Sequence, residues 1–108
     1  MPVDVSLPPV PGDPAGMRTL AAALRSDAAA LATVATETAR TLDGLEFFGP
    51  AATRVDGRVA LDTRAAERVA VELFDAAVVL ERSATDVEAA QAARERELER
   101  LRRELAPH

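Results

Sequence analysis

The chain has 108 residues and a formal net charge of −5 at pH 7, so it is one small acidic domain for which nucleic acid is a poor partner. Apolar residues make up 48% of it but aromatics only 3%, namely Phe47, Phe48 and Phe74, which argues against a β-sandwich or barrel. A composition rich in alanine, with leucine, glutamate and arginine, specifies long helices instead.

Residues 1–12 hold four prolines and no helical period. They are expected to form a disordered or loosely draped Pro-rich arm of extended character. Asp13 can cap the first amides of a helix, and Pro14 suits the first helical position, where its missing N–H costs nothing. From there Met17, Leu24, Leu31, Thr38 and Leu45 recur every seven residues. Ala21, Ala28, Ala35 and Leu42 form the adjoining row, with Leu20 and Val34 at its edge. This predicts a first helix over about 14–43, with Gly44 as a left-handed terminator. Turn 44–49 carries Phe47, Phe48 and Gly49, and Pro50 then opens a second helix.

The second helix keeps the seven-residue period to about residue 105 through Val59, Ala66, Leu73, Leu80, Val87 and Leu101, interrupted only by Arg94. Val55, Val69 and Ala76 flank the row early, and Leu98 and Leu105 late. Asp62 is an acid near the stripe, and Arg58 at i−4 is its simplest partner. Thr85-Asp86-Val87-Glu88 fits a capping box that would restart the helix, or else Thr85 faces solvent within one continuous helix. Arg94–Glu104 carries five Arg against four Glu, the pattern of a solvated helix with short-range ion pairs. The last residues, 106–108, form a tail.

The fold class is therefore all-α, an antiparallel two-helix hairpin. Two helices share one interface and leave the sides of broad apolar stripes wet, with little core to offset chain entropy. Association of two hairpins into a four-helix bundle dimer is the economical solution. Its core and dimer face is expected to use Met17, Leu20, Leu24, Leu31, Val34, Leu42, Val55, Val59, Val69, Leu73, Leu80 and Val87.

Two amphipathic helices joined by an aromatic-x-Gly turn, here Phe47-Phe48-Gly49 followed by Pro50, resemble the WXG family (Esx-type, early-secreted-antigen-like) of type VII secretion. The resemblance covers roughly residues 14–90. Phe47 stands where the family has Trp, and with no Tyr in the chain the family's Tyr-x-x-x-Asp/Glu export motif is incomplete. The resemblance implies a homodimer or a heterodimer with a similar hairpin, and a role as type VII substrate or chaperone-like partner. Its further partners would be the secretion ATPase or a larger toxin substrate. Phe47 and Gly49 carry the turn signature; the competing role for Phe47 or Phe48 is a hydrophobic staple over the end of the core. A cytosolic coiled-coil adaptor or scaffold unrelated to secretion is the alternative, with Arg94 as a register-setting polar residue.

No enzyme, cofactor or metal is expected. Cysteine is absent and the single histidine is His108, so neither a zinc site nor a nucleophile–base pair can be assembled from Ser6, Ser26 or Ser83. No apolar run is long enough for a membrane span, and the start lacks the features of a signal peptide. The expected location is cytoplasmic before a signal-peptide-independent export.

Overall fold

The computed structural model describes residues 6–44 and 49–106. Leu45, Glu46, Phe47, Phe48 and His108 lie outside the described residues, and with them the aromatic half of the turn motif. Two helices make up the fold: α1 over Pro14–Asp43 and α2 over Pro50–Leu105. With 30 and 56 residues, they have lengths of about 45 and 84 Å at 1.5 Å per residue.

The helix starts follow the local chemistry. The Asp13 carboxylate accepts from the Gly16 amide at 3.1 Å, satisfying a donor that has no partner within the helix. Pro14 and Pro50 occupy the opening turns. Gly49 has φ +94° with open space where a Cβ would stand. Glycine is needed there for its backbone conformation, since no clash would exclude a side chain. Gly44 differs from expectation: it closes α1 in a right-handed conformation, φ −80° and ψ −8°. Its amide still bonds back to the Arg40 carbonyl at 3.2 Å, so the α-helical bonding pattern runs up to the cap and no left-handed cap forms. Thr85 lies inside α2, where its hydroxyl donates to the Glu81 carbonyl. The helix is continuous through it.

Two ion pairs reveal an antiparallel register. Arg18 meets Glu88 and Arg25 meets Glu81, so seven residues forward on α1 correspond to seven back on α2. That register sets buried Ala21, Ala28 and Ala35 level with buried Ala84, Ala77 and Ala70. Between these layers stand half-buried Met17, Leu24 and Leu31 of α1 and Leu73, Leu80 and Val87 of α2. Apart from Ala52 and Leu98, the buried set among the described residues consists of those six alanines. Short side chains let two helices approach toward the near end of the usual 8–10 Å range.

The result is a rod of 91 × 16 × 13 Å with a radius of gyration of 25.6 Å, against about 13 Å for a compact domain of 100 residues. Because Ala77 is fully enclosed at 0% exposure, Ala77→Leu should force the helices apart. We expect it to lower stability by about 1–3 kcal/mol, seen as a lower Tm by circular dichroism. An unchanged Tm would contradict close approach at this layer.

Candidate functional site

The candidate site is a surface. On α1 the seam is bordered on one side by the row containing Arg18, Arg25 and Ala32, and on the other by the row containing Leu20 and Val34. The heptad places these rows about 100° or less from the seam. On α2 the corresponding rows contain Glu67, Phe74, Glu81 and Glu88, and Val55, Val69 and Ala76. The two ion pairs join the first rows of each helix, which fixes the sidedness of the whole hairpin.

On the ion-paired side, the Arg25 guanidinium spans both helices. Its Nε and Nη2 donate to the two carboxylate oxygens of Glu81, the second at 3.1 Å. The same guanidinium lies 4.5 Å from the centroid of the Phe74 ring, a cation–π distance. Next to it is an open groove of about 450 Å³ lined by Ala28, Ala29, Ala32, Ala70, Val71 and Phe74, with Arg25 and Glu67 also contributing. Alanines keep the α1 wall low, and Val71 and Phe74 remain 59% and 46% exposed. The opposite side carries exposed Leu20, Val34, Val55 and Val69. Leu61 and Val79 on α2 are exposed as well.

The residues expected at the core and dimer face thus divide. Met17, Leu24, Leu31, Leu42, Val59, Leu73, Leu80 and Val87 are half-buried along the seam, whereas Leu20, Val34, Val55 and Val69 stand on one exposed flank. The row with which α2 closes against α1 is Ala70, Ala77 and Ala84, one position beyond the expected flanking residues Val69 and Ala76. The groove with Val71 and Phe74 was not foreseen. Phe74 stands between Glu67 and Glu81 at seven-residue spacing, so no apolar row in the sequence announces the groove. Asp62 pairs with Arg58 at 3.5 Å, both well exposed.

Among the described residues, no cluster of acids or histidine could hold a metal, and no helix is long and apolar enough to cross a membrane. Compared with protein-family models, with curated proteins and with solved structures, the chain matches none.

The hydrogen bonds from Arg25 hold the Glu81 carboxyl below the usual carboxylate range, with the Arg25 and Arg18 charges adding to the effect. A carboxyl lowered by folding contributes stability that is complete above its unfolded value of about 4.3 and is lost as pH falls through the folded value. Acid titration should therefore lower Tm below that pH, and Glu81→Gln should flatten the decline. An identical decline in the variant would show that the Arg25–Glu81 contact is not formed in solution.

Proposed function

We propose that the protein acts by association and without catalysis, as one half of a four-helix bundle completed by a second hairpin, identical or similar. The observation that carries this reading is the bare surface. The chain exposes 8198 Å², whereas a compact monomer of its mass exposes about 5,800 Å². The excess is roughly three times the ~800 Å² that each partner buries in a standard interface. Part of that excess is the apolar flanks, which a second pair of helices would cover.

Within this reading the protein serves type VII secretion, as an exported substrate or as the chaperone-like partner of a larger exported toxin handed to the secretion ATPase. It resides in the cytoplasm before leaving by a route independent of a signal peptide. The resemblance of the hairpin and its Phe47-Phe48-Gly49 turn to WXG proteins supports this assignment, as does the strict requirement for glycine at φ +94°.

One observation favours the alternative, a cytosolic coiled-coil adaptor: α2 outruns α1 and could extend a partner's coiled coil. The arm preceding α1 lies on that overhang, so a partner helix there would have to displace it, whereas the hairpin flanks are open.

Export of a tagged chain from a host with a type VII apparatus tests the reading. Export should occur and should stop when the ATPase is deleted. Phe47→Ala should reduce export while leaving Tm unchanged. A chain retained in the cell irrespective of the apparatus supports the adaptor. A variant that loses Tm and export together makes Phe47 a staple over the core.

A further inference from the structure

Both core rows of α2 break to polar residues within one turn, at Gln91 and Arg94, and the breaks coincide with the end of α1. One turn before Arg18 is Pro14, where α1 begins, and one turn after Glu88 is Ala92. Beyond that level α2 has no helix beside it, and the arm takes the place of α1.

The contacts there are to backbone carbonyls. Arg94 donates through Nε to Pro8 O and through Nη2 to Leu7 O, both at 3.0 Å. The Gln91 side-chain amide donates to Val10 O and Gly12 O, both at 3.3 Å. Arg94 is only 26% exposed despite its position beyond the hairpin, and Leu98, one turn further on, is 4% exposed. Gly12 turns the chain at φ +132°, and a Cβ there would stand 2.9 Å from Val87 Cγ1.

The chemistry of the two sides matches. An extended proline-bearing segment has no internal hydrogen bonds, and each proline removes a donor while leaving its carbonyl. Such a segment presents acceptors in excess. Arginine supplies donors only, and the glutamine amide supplies two more. An apolar pair at these positions would have left the arm carbonyls against a greasy surface, at the expense of their solvation. Because the hydrogen bonds reach the arm's backbone, the recognition is for carbonyls held in an extended run by the prolines, a preorganisation that a flexible glycine–serine arm lacks, more than for particular side chains.

We propose that residues 87–98 of α2 form a docking seat for an extended proline-bearing segment, that the chain's own arm is a displaceable occupant, and that the arm of a second copy can take its place. Exchange of an identical element between protomers needs no new complementarity. The tethered arm holds the seat through its effective concentration, of order millimolar for a short connection.

The test uses the full chain with Leu7, Pro8, Pro9, Val10 and Pro11 replaced together by glycine and serine, titrated with a free peptide of residues 6–12 and followed by NMR. Saturable shift changes confined to the 87–98 region are expected. The unaltered chain should bind the peptide roughly tenfold more weakly or worse, and Arg94→Ala in the glycine–serine chain should abolish binding. Absence of binding with helical content preserved would overturn the seat, as would binding indifferent to Arg94→Ala. Equal binding by the unaltered chain would overturn the arm as competing occupant. If the glycine–serine chain loses helicity, Val10→Trp in the otherwise unaltered chain gives a single fluorescent reporter, since the sequence has no tryptophan. Its emission should move to the red with Arg94→Ala and with excess peptide. Emission unmoved by both would overturn the proposal.

Discussion

Close approach of α1 and α2 along facing rows of alanine governs the rest of the molecule. Ala21, Ala28 and Ala35 lie level with Ala84, Ala77 and Ala70, and all six are buried. Each contributes one methyl to the core, and a buried methylene-sized group stabilises by only about 0.8 kcal/mol. The larger side chains, Leu24, Leu31, Leu73 and Leu80, bracket these layers and are only half covered. A seam built this way holds two helices in one register yet cannot hide their apolar flanks. The hairpin's shape and its exposed valines, leucines and Phe74 have the same origin.

Polar residues at the margins refine that register. Arg25 binds Glu81 with two hydrogen bonds and lies over Phe74, so one guanidinium ties α2 to α1 and shields part of an aromatic ring. The pair is about 40% exposed on each side, where solvent screens it, so its main effect is on alignment. Near the far end of α2, Arg100 bonds to Glu97 and Glu104 within the same helix. That stretch satisfies its charges locally and asks little of a neighbour.

Much of this architecture was legible in the sequence. The seven-residue rows gave both helices, and Asp13-Pro14 and Gly49-Pro50 marked where they begin. The alanine row of α1 could be read directly. Its counterpart on α2 could not, because hydropathy favours Val69 over Ala70, whereas close packing selects the smaller side chain. Gly44 shows a second limit: glycine permits a left-handed cap without requiring one. Arg94 looked like a polar interruption of a coiled coil. Besides the adjacent Glu95, its partners are the Leu7 and Pro8 carbonyls of the arm, and no periodicity connects them. Phe47 and Phe48 fall outside the described residues, so the turn's aromatic part rests on sequence alone.

The alanine seam leaves the apolar flanks of the hairpin exposed, and molar mass in solution reports whether a second hairpin covers them. Light scattering coupled to size separation, at micromolar concentration and physiological salt, should give twice the 11.4 kDa of the single chain, or the mass of a mixed pair when a similar hairpin is supplied. Val69→Asp and Val71→Asp, placed on opposite flanks, should show which side carries the partner by returning the species to 11.4 kDa. A well-folded chain that stays at the single-chain mass under all these conditions would show that the hairpin needs no partner.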